Sequence, residues 1–301
     1  MHAMPETSGP QQQPAQDKRP MTGNEAIARG AWEAGVAVAA AYPGTPSTEI
    51  LESLAGYPAQ DVHAQWSTNE KVALDVAIGA SFAGRRALAA MKHVGLNVAA
   101  DAFMSQTYIG VNGGLVIAVC DDPGIHSSQN EQDTRIYAQM ASVPVLEPSD
   151  AQEALDFTRL AFEISEQFDT PVIVRGTTRL SHTRSPVRVG PRKNVPSRGF
   201  VDNPKKNVMI PAHARLRHAA VLECHGSLAR DRLEELAVVV GEPGVAVNDE
   251  LPDRAAPPAQ RQPYGVRAGS PLGPSDTPVL EHDRGAGGVH RLDRRLHDRL
   301  E

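Results

Sequence analysis

The sequence predicts an α/β fold: a doubly wound, mostly parallel sheet with helices on both faces. Three observations carry this. Short apolar runs alternate with longer amphipathic stretches from about residue 22 to residue 176, the order expected of βαβ units. The runs LVIAVCD (115–121) and PVIVRG (171–176) are almost continuously apolar, as in strands buried on both faces. Several runs end in a loop of Gly, Pro, Ser and Thr, at 43–48, 67–70, 92–97 and 121–131, and open α/β sheets bind ligands outside the carboxyl ends of their strands.

Thr22 and Glu25 have the spacing of a capping box, opening an amphipathic helix through Trp32. VAVAAAY (36–42) reads as a buried strand and PGTPS (43–47) as a turn. Thr45 is the expected cap of the next helix, with Pro46 in its first turn and EILESL (49–54) in its body. A strand is expected at 63–67 and a helix at 69–82, where Ser67 and Glu70 of WSTNEKVALD again have capping-box spacing. ALAAM (87–91) is a strand, and the 92–97 loop leads to a helix through NVAADAFM. After 115–121 come a helix at 134–141, the segment PVLEP, a long helix at 150–167 and the strand at 171–176.

Composition divides the chain into four zones. Residues 1–20 are polar and rich in Pro and Gln, the signature of a disordered tail. Residues 21–186 are the α/β domain. Residues 187–240 read as a linker (PRKNVPSRGFVDNPKKNVMIPAHARLRHAAV) leading into a helix, with a further helix at 228–237 (LARDRLEELA). Residues 241–301 are dense in Pro, Gly and Arg and lack Ile, Phe, Met, Trp and Lys. That tail is expected to be disordered, or translated out of frame from a GC-rich gene. The formal charge of −6 and the scattered arginines give no nucleic-acid signal. Only two cysteines occur, Cys120 and Cys224, far apart, and no histidine or cysteine has metal-ligand spacing, so no iron–sulfur or zinc site is expected. The N-terminal residues lack the apolar core of a secretory leader, and no apolar run has membrane-spanning length, so a cytoplasmic protein is expected.

Taken singly, the polar residues of the loops have ordinary readings. Most serine-glutamate pairs at helix starts are caps, Thr45 behind Pro46 is another, and Lys92 with His93 is a solvated strand end with Gly95 making the turn. Cys120 is a core residue at a strand end, and DDPGIHSSQNEQDTR reads as a polar surface loop.

Taken together and in order, YPGTPSTEI, WSTNEKVALDVAIGASFAGRRALAAMKHVGLNVAADAF and VCDDPGIHSSQNEQDTR resemble one family. They are similar to the N-terminal domain of the large subunits of indolepyruvate ferredoxin oxidoreductases, a branch of the thiamine-diphosphate-dependent 2-oxoacid:ferredoxin oxidoreductases. The resemblance covers residues 22–237. YPGTPS is shared across the family, whereas MKHVGLN separates this branch from those acting on pyruvate and 2-oxoglutarate. The resemblance implies the pyrimidine-binding domain of thiamine enzymes. Its glutamate falls on Glu70, whose role would be to hydrogen-bond the pyrimidine ring nitrogen and favour the tautomer that removes the thiazolium C2 proton. Thr45 would stand near the substrate carbonyl. Lys92, His93 and Asn97 would lie at the same strand ends, a cation meeting the substrate carboxylate and His93 or Asn97 meeting the ketone or cofactor. The loop DDPGIHSSQNEQDTR would lie near the cofactor.

The resemblance also implies thiamine diphosphate with Mg2+, a small β subunit, CoA, and ferredoxin as electron acceptor. The GD[GS] motif of a diphosphate- and Mg2+-binding domain and the cysteine-rich cluster motifs do not occur in this sequence. The chain therefore reads as a truncated large subunit that holds one side of the site and is inactive alone. Two other classes remain beside it: a non-oxidative thiamine decarboxylase or ligase subunit, against which MKHVGLN argues, and a non-catalytic remnant or interaction module.

Overall fold

The computed structural model describes residues 17–232 and 238–239 of the chain. The elements in chain order are β1 (Lys18–Thr22), α1 (Gly23–Glu33), β2 (Val38–Ala41), α2 (Thr48–Ala55), β3 (His63–Trp66), α3 (Glu70–Phe82), β4 (Ala87–Lys92), α4 (His93–Ile109), β5 (Leu115–Asp121) and α5 (Thr134–Ala141). They continue with β6 (Val145–Leu146), α6 (Ala151–Phe168), β7 (Val172–Thr177), α7 (Thr178–His182), β8 (Arg184–Arg188), α8 (Pro204–Asn207), α9 (Pro211–Arg232) and β9 (Val238–Val239). The central sheet runs β3-β2-β4-β5-β7-β6-β9. All its pairings are parallel except that of β6 with β9.

Side chains alternate between the two faces along each strand, so each strand feeds two cores. Leu88, Ala90, Val116, Ala118, Val172 and Val174 face one core with α1, α2 and α6. Ala87, Ala89, Met91, Leu115, Ile117 and Val119 face the other with α3, α4 and α5. The doubly wound fold expected from the apolar runs is the fold found.

The chain steps from β2 outward to β3, then returns to place β4 on the other side of β2. The helix after β2 covers one face and the helix after β4 the other. The crevice between the carboxyl ends of β2 and β4 is therefore the topological switch point, where open α/β sheets bind ligands.

The capping box at Thr22 forms as expected: Glu25 N–H donates to Thr22 Oγ1 at 3.2 Å, and Thr22 N–H donates to Glu25 Oε2 at 2.7 Å. Three other expectations fail. Thr45 does not cap α2; its N-cap is Ser47, Thr45 stands exposed at the loop tip, and the Thr45–Pro46 bond is cis. Ser67 does not cap α3 either. The cap is Asn69, whose Oδ1 accepts from Val72 N–H at 2.9 Å, so Glu70 is the first helical residue and not the partner in a capping box. No loop separates β4 from α4. Extended Lys92 is the N-cap and His93 is already helical, so Gly95 lies within the helix and makes no turn.

The tail and linker expectations also change. Lys18, Arg19 and Pro20, placed in the disordered tail by composition, pair antiparallel with Arg188, Val187 and Pro186. Residues 1–16 and 240–301, with the rest of both expected tails, lie outside the described residues, as do residues 233–237 of the expected helix; α9 runs from Pro211 to Arg232 instead. Residues 189–207 are not a free linker. They lie along the amino ends of the strands, where their polar side chains meet carbonyls left open at helix ends. Arg192 donates to Trp32 O and Val36 O beyond α1, and Ser197 donates to Ala83 O at the end of α3. From α9, Arg217 donates to Tyr108 O at the end of α4. Lys206 and Arg217 share Asp169 at 2.6 and 3.1 Å.

Helix α1 crosses α6 with almost no space between backbones. A Cβ on Gly30 would stand 2.4 Å from Leu155 O and 3.0 Å from Thr158 Cβ. Alanine is the better helix former by about 1 kcal/mol, but here the neighbour is a helix backbone that cannot step aside. Gly30→Ala is expected to lower stability by about 1–3 kcal/mol, read from urea midpoints; an unchanged midpoint would mean that the two helices slide apart freely.

Candidate functional site

The first turn of α4 is where the loops meet. Its residues point to three neighbours, each from a different strand end. From the β3–α3 junction comes Glu70. A Cβ on Gly95 would stand 2.7 Å from Glu70 Cγ and Oε1, so the carboxylate rests on the bare backbone of α4. Glu70 is 9% exposed, and among the described residues no donor meets its oxygens. From the β2–α2 loop comes Gly44. Its missing side chain accommodates the stem of Lys92, whose Cδ would lie 3.1 Å from a Cβ there.

From the β5–α5 loop come two backbone carbonyls. Lys92 Nζ donates to Ser127 O at 3.3 Å, and His93 Nε2 meets Asn130 O at 3.0 Å. A carbonyl oxygen only accepts, so Nε2 carries the proton. His93 Nδ1 is buried and has no hydrogen-bond partner. One turn on, Asn97 accepts a hydrogen bond from Tyr137 OH through Oδ1 at 2.5 Å, which leaves its amide N–H groups to the solvent side.

Each loop is itself held. The β2–α2 loop closes on Gly44, whose O accepts from Ser47 Oγ at 2.8 Å and whose N–H donates to Thr48 Oγ1 at 3.0 Å. Buried Asn24 on α1 donates to Pro46 O at 2.6 Å. The β5–α5 loop folds around Asp122, fully buried, which accepts from Ser127 N–H at 2.7 Å, Ser128 Oγ at 2.8 Å and Thr178 Oγ1 at 2.7 Å. Burial alone would raise the Asp122 pKa; the hydrogen bonds outweigh it and hold the carboxyl well below the usual range. Beneath it, Arg175 donates to Asp121 at 2.7 Å and to Glu147, and Thr134 N–H donates to Asp121 at 3.0 Å. Cys120 is fully buried at the end of β5, and burial pushes its thiol up to about 12, which makes it a core residue and not a nucleophile.

Of the residues singled out from sequence, Glu70, Lys92, His93 and Asn97 all stand on or against the first turns of α4. Thr45 follows Gly44 and so borders Lys92, but among the described residues it makes no hydrogen bond to the other four. Tyr137 was not singled out, Asp122 and Asn130 were read only as part of the 121–135 loop, and Gly95 only as a turn residue. For Asp122 a signal existed: an aspartate before Pro-Gly is a turn former whose carboxylate takes nearby N–H groups. Asn130 acts through its backbone, and Gly95 through the absence of a side chain.

Around these loops the rim is apolar and open. Tyr42, Trp66, Val72, Val98, Ile125, Ile136 and Met140 are exposed, Trp66 to 44% and Met140 to 66%. Among the described residues no helix is long and apolar enough to cross a membrane.

Comparison with known proteins gives the family. The family described as pyruvate flavodoxin/ferredoxin oxidoreductase, thiamine diphosphate-binding, matches residues 29–237. The chain is 50% identical over 210 residues to the indolepyruvate oxidoreductase subunit IorA of Archaeoglobus fulgidus, covering 67% of this chain and 34% of that one. It is 52% identical over 210 residues to the IorA subunit of Pyrococcus abyssi, covering 67% and 32%. The chain thus spans about a third of the length of these curated relatives. A solved 2-oxoglutarate:ferredoxin oxidoreductase from Magnetococcus marinus superposes with a TM-score of 0.56 at 18% identity, over 73% of this chain and 46% of its own; that likeness shows the fold. With more than half of its residues matched, the chain belongs to the thiamine diphosphate-binding family of pyruvate flavodoxin/ferredoxin oxidoreductases.

Proposed function

We propose that this chain supplies the pyrimidine side of the active site in an oxidoreductase that converts aryl pyruvates such as indolepyruvate, CoA and oxidised ferredoxin to acyl-CoA, CO2 and reduced ferredoxin. The observation that carries this is Glu70: a nearly buried glutamate at the switch-point end of the sheet, seated on a glycine, with no donor to its carboxylate among the described residues. A largely buried carboxylate that makes no hydrogen bond among the described residues is open to a ligand's donor. A ring nitrogen of the pyrimidine, carrying or sharing a proton, is such a donor.

When bound, thiamine diphosphate supplies the electron sink for decarboxylation. The chain's own residues hold and orient. Glu70 binds the proton shared with the pyrimidine ring. Lys92 has two N–H donors left beside the one on Ser127, enough to meet a substrate carboxylate. Asn97, its oxygen engaged by Tyr137, presents N–H groups to a carbonyl. His93 holds the β5–α5 loop through its Nε2–H, so in its neutral form its free Nδ1 accepts and meets a hydroxyl rather than a ketone. Thr45 borders the crevice at the loop tip, where its hydroxyl reaches toward the substrate carbonyl.

The diphosphate and its Mg2+ belong to a second domain, which the apolar rim is suited to meet. The small β subunit, CoA and ferredoxin complete the assembly, in the cytoplasm. Residues 21–186 form the pyrimidine-binding unit, and residues 187–240 lead from it toward that second domain.

The test has two arms. Isolated, the chain is expected to show no micromolar binding of thiamine diphosphate with Mg2+ in calorimetry. Assembled with the diphosphate-binding domain and the small subunit, it is expected to reduce ferredoxin in the presence of indolepyruvate and CoA. Turnover of 2-oxoglutarate or pyruvate in place of indolepyruvate would move the chain to another branch of the family, and micromolar binding by the isolated chain would overturn the divided site.

A further inference from the structure

We propose that Gly95 is a positioning residue for Glu70: the absent side chain is the seat of the carboxylate, and α4 forgoes helix stability to keep it empty. The assignment rests on the reading of Glu70 as the acid of the site.

Gly30, Gly79 and Gly95 stand inside helices and differ in what a side chain would meet. At Gly30 the obstacle is the backbone of α6. At Gly79 in α3 nothing lies within 4 Å, so only helix propensity is at stake. At Gly95 the three nearest atoms all belong to the Glu70 side chain: Cγ and Oε1 at 2.7 Å and Cδ at 3.0 Å. Gly95 is the third residue of α4 and has ordinary helical backbone, not the left-handed conformation that would call for glycine. No backbone of another element is among those nearest atoms. Glycine is a weaker helix former than alanine, and its bare Cα here leaves room for the Glu70 carboxylate.

The consequence is specific. Carbon atoms in contact keep about 3.5–4.0 Å, so a methyl at position 95 displaces the carboxylate by about 1 Å. The glutamate tail is free to turn away, so the helix itself is not broken. A displacement of that size at a reacting group costs on the order of 100-fold in rate, while the fold is held or strengthened. Gly95→Ala should therefore separate stability from function, with the two moving in opposite directions.

Three readouts test this, with Gly79→Ala as the control. On the isolated chain, Gly95→Ala and Gly79→Ala are both expected to hold or raise the Tm, by up to about 3 °C. Also on the isolated chain, a crystal structure or the carboxyl 13C resonance of Glu70 is expected to move in Gly95→Ala and stay in place in Gly79→Ala. In the assembled enzyme, exchange of the C2 proton of thiamine diphosphate is expected to slow about 100-fold in Gly95→Ala and not in Gly79→Ala. In a Glu70→Ala background, Gly95→Ala should slow it no further. An unmoved Glu70 carboxyl, or wild-type exchange in Gly95→Ala beside slow exchange in Glu70→Gln, overturns the assignment. Wild-type exchange in Glu70→Gln itself overturns the reading of Glu70 beneath it. A Tm lowered by several degrees in Gly95→Ala alone would make Gly95 a packing residue instead.

Discussion

Glu70→Gln in the assembled enzyme is expected to slow C2-proton exchange and turnover by about 10²–10⁴-fold, the range typical of a lost general acid or base. The substitution is nearly isosteric. The amide keeps the volume that rests on Gly95, and Asn69 still caps α3. Stability of the isolated chain should therefore stay within about 0.5 kcal/mol of the parent, and a loss of activity cannot be blamed on unfolding. What the amide lacks is the ability to take a proton from, or return it to, a ring nitrogen. Exchange within a factor of three of the parent rate would reduce Glu70 to the first residue of a helix.

The second large effect concerns stability. Arg175→Met is expected to cost about 3–5 kcal/mol, because it strands the fully buried Asp121 carboxylate with only Thr134 as donor. Arg175 is 5% exposed and bridges Asp121 and Glu147 across β5, β7 and the segment before α6. Replacing both partners, as Asp121→Leu with Arg175→Met, should recover much of the loss, since an ion pair replaced by apolar groups loses both its attraction and its desolvation penalty. Urea midpoints of the two variants decide it. A single variant within 1 kcal/mol of the parent would show that water reaches Asp121.

Much of the fold was legible in the sequence because its strands are buried on both faces. A run such as LVIAVCD has no amphipathic alternative, and the strands at 115–121 and 171–176 follow from composition alone. Helix starts were less legible. Thr22 and Asp150 cap as a Ser/Thr/Asp rule suggests, but at α2 and α3 several residues in a row could cap, and local geometry chose Ser47 and Asn69 over Thr45 and Ser67. How residues 189–207 are held was not legible, because single arginine and serine side chains on helix-end carbonyls leave no periodicity to detect.

At the site, Glu70, Lys92, His93 and Asn97 could be named from the family resemblance and are gathered at one helix start. Thr45 could be named but not placed. The partners that hold them could not be named. Asn130 and Ser127 contribute only backbone oxygen, and a backbone contact leaves no trace in residue identity.

That last feature has a consequence for how such a site can diversify. Lys92 and His93 grip the β5–α5 loop by its peptide carbonyls, and Asn24 grips the β2–α2 loop by Pro46 O in the same way. Every amino acid carries a peptide carbonyl, so an exposed loop residue such as Gln129 can be exchanged without releasing the loop from these two grips. The anchoring is thus insulated from the side chains that line the crevice. Under the function proposed above, a lineage could change which substrate it admits by substitutions in these loops, while Glu70, Gly95 and Lys92 keep their positions.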